Sequence, residues 1–145
     1  MKILIIVAAA IMPLFALSQA EPPFDSLAIT NGTMLVDKEA RFPGGAAGWQ
    51  KYLEHNLNSG LAGKYIRLKR KEKVGQQTVR LQFLVSKEGK IYDVKTINIL
   101  EVHPKLAREA ERAIKAGPDW IPAEKAGTKV LYQATQNITF QVARE

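Results

Sequence analysis

The sequence predicts an α+β domain with two helices packed on one face of a small antiparallel sheet. Three patterns support this fold class: two amphipathic helical stretches, a hairpin between them, and a long alternating strand near the end of the chain. The 145 residues are 46% apolar and 24% charged, which is typical of one globular domain rather than of a disordered chain.

A β-hairpin is predicted between Gln77 and Leu100. The first arm alternates, and its apolar side chains share one face: Val79, Leu81, Phe83 and Val85. Residues 86–90 supply the turn, in which Gly89 can adopt a positive φ. The apolar residues of the second arm fall out of phase, so either a bulge near Asp93 or a shallowly buried arm is expected.

Two helices are predicted on either side of this hairpin. The stretch from Ala46 to Leu57 repeats large apolar residues at helical spacing. The second helix begins at His103-Pro104, because proline suits the first helical position, and it ends at Gly117-Pro118. Trp49 and Trp120 can in principle stack a ligand ring, but each lies in an apolar pattern and is expected in the core.

The first residues predict export. Lys2 precedes an apolar stretch from Ile3 to Leu17, and small residues allow cleavage after Ala20. An uncleaved anchor in the inner membrane is the alternative, although about 15 apolar residues are fewer than the roughly 20 of a spanning helix. We expect a signal peptide over residues 1–20, a flexible lead-in over 21–32 and one domain over 33–145.

Two further segments are predicted to be extended. The first runs from Thr33 to Phe42, and the second, from Tyr132 to Val142, alternates apolar and polar side chains. If the second lies at the sheet edge, its backbone N–H and C=O groups can accept an extended peptide as an added strand. Pairing within the chain or with a second copy is the alternative. The candidate peptide-binding residues are Tyr132, Gln133, Ala134, Thr135, Gln136, Asn137, Ile138, Thr139 and Phe140.

The chain offers little for catalysis. It contains no cysteine, which excludes thiolate ligands and cysteine nucleophiles, and its two histidines lack companion ligands. His55 lies on a helix flank and His103 at a helix start, where surface or capping roles are common. We expect no catalytic residue, no metal site and no cofactor.

The formal net charge of +7 indicates attraction to an anionic partner. The densest charged run, Lys64 to Lys73, is interpreted as a solvated, mobile loop, with a docking patch as the alternative. Nucleic acid is not an expected partner of an exported protein.

Several motifs occur together in an order that a known family shares. They are Glu39-Ala40-Arg41-Phe42-Pro43-Gly44-Gly45, the two arms of the hairpin, His103-Pro104, Pro118-Asp119-Trp120-Ile121-Pro122-Ala123 and Ile138-Thr139-Phe140. In this order they resemble the C-terminal domain of TonB proteins, particularly those of Bacteroidetes. In place of the family's usual Tyr-Pro-containing link, the chain has a basic insertion from Gly60 to Gly75.

The resemblance implies a non-enzymatic, periplasmic energy-transducer domain of a Gram-negative bacterium. Such domains bind the TonB box, an extended segment of outer-membrane transporters, through the last strand. Proteins of ExbB and ExbD type in the inner membrane supply the energy, and a homodimer is a further expected assembly. The tether between Ala20 and Phe42 reaches about 70 Å at most, so peptide binding without transmitted force is expected. The alternative function is a stand-alone periplasmic scaffold that binds peptidoglycan or another envelope protein.

Overall fold

The computed structural model describes residues 35–144. The predicted signal peptide and lead-in lie outside these residues, as do Thr33 and Met34. The described part contains helices α1 (Gly45–Asn56), α2 (Gly60–Tyr65) and α3 (Pro104–Ala116) and strands β1 (Val74–Val85), β2 (Ile91–Thr96), β3 (Ala123–Lys125), β4 (Thr128–Val130) and β5 (Tyr132–Ala143). The predicted α+β class is confirmed.

The main sheet has the strand order β2-β1-β5, and both pairings are antiparallel. β1 is the central strand and pairs with β5 along its whole length, from Val74 opposite Ala143 to Val85 opposite Tyr132. Helix α3 packs on β1 and β2, and the short α2 packs on α3 and β5. Consequently β5 forms one edge of the sheet within the described residues.

The predicted hairpin between β1 and β2 is confirmed, together with its bulge. The register shifts between Gln82 and Leu84, and Asp93 on β2 has a φ of 54°. The predicted second arm is too long, however, because β2 ends at Thr96 and not at Leu100. The residues after Thr96 form a turn, in which the Glu101 N–H donates to the Asn98 carbonyl at 3.0 Å.

The two predicted helices are confirmed as α1 and α3. The His103 ring accepts a hydrogen bond from the Lys105 N–H at 3.2 Å and so caps α3, and Pro104 occupies its first turn. The prediction of two helices is nevertheless incomplete, because α2 is a third. Its two glycines, Gly60 and Gly63, weaken the helical pattern in the sequence, and α2 is supported by packing instead.

Side chains from one face of the sheet form the core with α3. The largest fully buried side chains are Phe83, Phe140, Leu81, Leu106, Ile114, Ile138, Val79 and Val85. Phe42 packs edge-on against both Trp49 and Trp120, with ring centroids 5.2 and 5.9 Å away. Both tryptophans are buried, which confirms the prediction that they belong to the core.

Candidate functional site: the outer edge of β5

The side chains of the candidate residues alternate between the core and solvent, as predicted. Ala134, Ile138 and Phe140 are buried, and Tyr132 and Gln136 on the same face are partly buried. On the other face Thr135, Asn137 and Thr139 are exposed and Gln133 is partly exposed. The predicted residues therefore lie on one strand, and the side chains of Thr135, Asn137 and Thr139 are the ones fully presented to solvent.

The backbone groups of β5 also alternate, between the β1 side and the outer edge. Just after β5, the Arg144 N–H donates to the Lys73 carbonyl at 2.8 Å. Because the register continues without a shift, the N–H and C=O groups of the even-numbered residues of β5 also point toward β1. In an antiparallel strand, the N–H and C=O groups of the residues in between, here the odd-numbered ones, point to the opposite edge. The N–H and C=O groups of Thr135, Asn137 and Thr139 therefore face away from β1.

The solvent face of β5 is held in register by polar side chains of β1. The Thr139 and Thr78 hydroxyl groups are hydrogen-bonded at 2.9 Å. Asn137 lies opposite Arg80 in the same pairing. These cross-strand pairs stabilise the strand without covering its outer edge.

Tyr132 fixes the start of β5. Burial raises the pKa of its hydroxyl group, and the charge of Glu39, which accepts a hydrogen bond from that hydroxyl, raises the pKa further. The phenol therefore stays neutral and holds β5 to the segment that precedes α1. This contact makes Tyr132 an anchor for the strand rather than a side chain that reaches the outer edge.

The opposite side of β1 is closed by a residue that sequence reasoning missed. Asn98, which is only 6% exposed, accepts a hydrogen bond from the Arg80 N–H at 2.9 Å and donates one to the Thr78 carbonyl at 2.9 Å. Its side-chain amide thus replaces the strand backbone after β2 ends. An asparagine within an apolar run was the available signal.

β5 is the more regular of the two sheet edges. β2 has six residues, a bulge and the exposed charges of Asp93 and Lys95, which are features that discourage pairing with another strand. β5 has 12 residues, no interruption of its register with β1 and no charged side chain between Tyr132 and Ala143. An added strand therefore fits the β5 edge better.

A comparison with protein families decides the identity of this domain. Residues 68–142, just over half of the chain, match the family model described as Gram-negative bacterial TonB protein C-terminal. The chain belongs to the TonB C-terminal family. No match was found among curated proteins or among solved structures.

Membership of the TonB C-terminal family gives a general function. The family is a non-enzymatic domain associated with transport across the outer membrane, and it implies interaction with outer-membrane transporters in general. The matched region includes all the candidate residues of β5, whereas α1 and the motif from Glu39 to Gly45 precede it. The narrower resemblance to Bacteroidetes members stays a prediction.

The basic run of this TonB domain is folded against the sheet. Ile66 is buried, and a Cβ on Gly75 would lie 2.8 Å from the Leu68 side chain and 3.1 Å from that of Ile66. The Arg144 guanidinium also donates to the Arg70 carbonyl at 3.0 Å. The interpretation of Lys64 to Lys73 as a loop is therefore wrong for the first residues of the run, because these belong to α2 and to the core. The charged side chains of the run are exposed, as predicted.

The histidines have local structural partners. His55 contacts the Lys51 carbonyl at 2.8 Å, and His103 caps α3 and stacks on Tyr65. Among residues 35–144, no group of three or more histidine or acidic residues is arranged to hold a metal ion. Within the same range, no helix has the length and apolarity needed to cross a bilayer.

Proposed function

We propose that the outer edge of β5 binds the TonB box, an extended segment of an outer-membrane transporter, by strand addition in the periplasm. The observation that carries this proposal is the regular row of outward backbone groups at Thr135, Asn137 and Thr139. Family membership supports a transporter as the partner. The segment over residues 1–20 would direct export and be removed.

Backbone pairing suits a domain that must grip more than one sequence. Each hydrogen bond between an added strand and β5 contributes about 0.5 to 1.5 kcal/mol net, largely independently of the peptide's side chains. The short polar side chains of Thr135 and Thr139 flank the edge and leave room for a second backbone.

Energy input and self-association complete the proposal. Inner-membrane proteins of ExbB and ExbD type would act on this domain, as the family resemblance implies. A homodimer formed through β5 would use the same backbone groups as the peptide. Because one edge can pair with one strand at a time, dimer formation and peptide binding would compete.

Proline substitutions on β5 test the proposal. Thr135→Pro and Asn137→Pro each remove an outward N–H and leave the bonds between β5 and β1 in place. We expect both variants to stay folded and to lose at least about tenfold in affinity for a synthetic TonB-box peptide, measured by isothermal titration calorimetry. Thr135→Ala and Asn137→Ala are the matched controls, because they keep the N–H and should bind within about twofold of the wild type.

An NMR titration with the same peptide adds an independent measurement. Strand addition is expected to shift the amide resonances of Tyr132 to Val142. Unchanged binding by folded proline variants would exclude β5 as the site. Shifts confined to Lys64 to Lys73 on addition of cell-wall fragments would favour the peptidoglycan-binding scaffold instead.

A further inference from the structure

An exposed apolar turn projects from the sheet near the start of β1. The exposed fractions of its apolar side chains are 46% for Ile97, 49% for Ile99 and 99% for Leu100. Three hydrogen bonds attach the turn to β1. The Asn98 side chain accepts one from the Arg80 N–H and donates one to the Thr78 carbonyl, and the Ile97 N–H donates to the Arg80 carbonyl at 2.9 Å. A fully exposed leucine on an anchored turn contributes nothing to the core, which points to a contact outside the domain.

The basic run lies at the same end of the sheet. Residues 64–73 contain six basic side chains and one acidic one, so this run has a net charge of +5. The whole chain has a formal net charge of +7. The single acid, Glu72, lies 3.9 Å from Lys69. Arg144, which follows β5, adds another positive charge beside this run.

The residue His103, which follows the apolar turn, contacts the basic run. The ring of Tyr65, inside the basic run, stacks on His103 with centroids 4.3 Å apart. His103 follows Leu100 by three residues, and its N–H donates to the Gln77 side chain at 2.8 Å. The exposed turn therefore lies beside Thr78 and Arg80 of β1, and the basic run directly precedes that strand.

We propose that this end of the domain attaches peripherally to an anionic lipid bilayer. Ile99 and Leu100 enter the boundary between headgroups and acyl chains, and the basic run lies on the anionic headgroups. A bilayer accepts projecting apolar side chains without a matching pocket, and anionic lipids attract clustered Lys and Arg residues. Glu101, next to Leu100, is paired with Arg80 at 3.4 Å, and the excess positive charge lies in the basic run. A projecting apolar turn with a basic run nearby fits this partner better than it fits an acidic protein, which would need a cleft for Leu100.

A fluorescent label at the turn tests the proposal. Because the chain contains no cysteine, Leu100→Cys creates a unique site for an environment-sensitive fluorophore in the mature protein, residues 21–145. Lys129→Cys, on β4, is the matched control and lies near the opposite end of the main sheet. Vesicles of phosphatidylcholine alone are compared with vesicles of equal parts phosphatidylcholine and phosphatidylglycerol.

The expected result is a blue shift of the label at position 100 that requires the anionic vesicles and is reversed by high salt. The label at position 129 should not respond, so attachment through another part of the chain is distinguished from insertion of the turn. No shift at position 100, an equal shift at position 129, or an equal response to phosphatidylcholine alone would overturn the proposal.

Charge reversal provides a second measurement. Arg67→Glu with Lys71→Glu is expected to lower the partition coefficient for anionic vesicles by at least about tenfold, because each basic residue near the surface adds to the attraction. Lys87→Glu with Lys129→Glu has the same net charge but lies at the other end of the sheet, and a change within about twofold is expected. An equal loss in the two double variants would show that net charge alone acts, and would also overturn the proposal.

Discussion

At the scale of single residues, Gly89 shows how closely two segments approach. It lies in the turn between β1 and β2 with a φ of 85°, and its carbonyl accepts a hydrogen bond from the Trp120 N–H at 2.8 Å. A Cβ at this position would lie 2.0 Å from the Trp120 carbonyl oxygen. Only glycine fits both the backbone conformation and the space, so the turn holds Trp120 in the core.

Gly89→Ala is expected to lower the free energy of unfolding by about 2 to 4 kcal/mol, because the left-handed conformation and the displaced Trp120 backbone both cost energy. Urea denaturation followed by tryptophan fluorescence measures the change. Gly63→Ala is the control: its Cβ would meet nothing within 4 Å, and alanine favours the helix, so equal or higher stability is expected. A loss below about 0.5 kcal/mol in Gly89→Ala would contradict the close contact.

At the scale of elements, the end of β2 is decided by a side chain. Strand propensity in the run from Ile97 to Leu100 predicted continued pairing, but Asn98 takes over the hydrogen bonds of β1 and the chain turns toward α3. The cause is a long-range contact that leaves no periodic signal. By contrast, the alternation in β5 and the stop at Gly117-Pro118 are local signals, and they predicted their elements well.

Asn98→Ala is expected to lower the free energy of unfolding by about 1 to 3 kcal/mol, because the Arg80 N–H and the Thr78 carbonyl lose a buried partner. Hydrogen exchange by NMR should show faster exchange at the Arg80 amide. The exposed Asn137→Ala serves for comparison, with an expected change below about 0.5 kcal/mol. Unaltered exchange at Arg80 would mean that Asn98 does not close this side of β1.

The distinction between local sequence signals and long-range contacts also explains the remaining differences between the predicted and the observed structure. The start of β1 at Val74 depends on pairing with residues near Ala143, which no local pattern reveals. Alternation alone predicted that the candidate residues lie on a single strand, as they do in β5. Which edge of that strand is open depends on strand order, and strand order is a property of the sheet.

At the scale of the whole molecule, an ion pair within α3 connects this helix to the end of α1. Glu109 on α3 accepts hydrogen bonds from the Asn58 N–H at 2.9 Å and from the Arg112 guanidinium at 2.6 and 2.9 Å. Arg112 also donates to the Asn56 carbonyl at the end of α1. The hydrogen bonds from Arg112, followed by that from Asn58, hold the pKa of Glu109 below its usual value against the opposing effect of burial.

This network predicts a pH dependence of stability. Because the pKa of Glu109 is lower in the folded state, its contribution is complete above the unfolded pKa of about 4.3 and is lost as pH falls through the folded pKa. Glu109→Gln should therefore reduce the loss of stability in acid, while lowering the free energy of unfolding at pH 7 by about 1 to 2 kcal/mol. Denaturation curves recorded between neutral and acidic pH test this.

Glu54→Gln, an exposed change on α1, is the matched control and is expected to alter stability at pH 7 by less than about 0.5 kcal/mol. If the wild type and Glu109→Gln lose stability in parallel as the solution is acidified, the ion pair does not link folding to protonation.

The full-length register between β1 and β5 has a mechanical consequence. β5 is paired with β1 at 12 successive positions, and several of its side chains are also embedded in the core. A peptide held only by the outer backbone groups of β5 would have a shorter ladder and no buried side chains beneath it. If tension were applied to such a peptide along the strand direction, the peptide would therefore separate from β5 before β5 separates from β1.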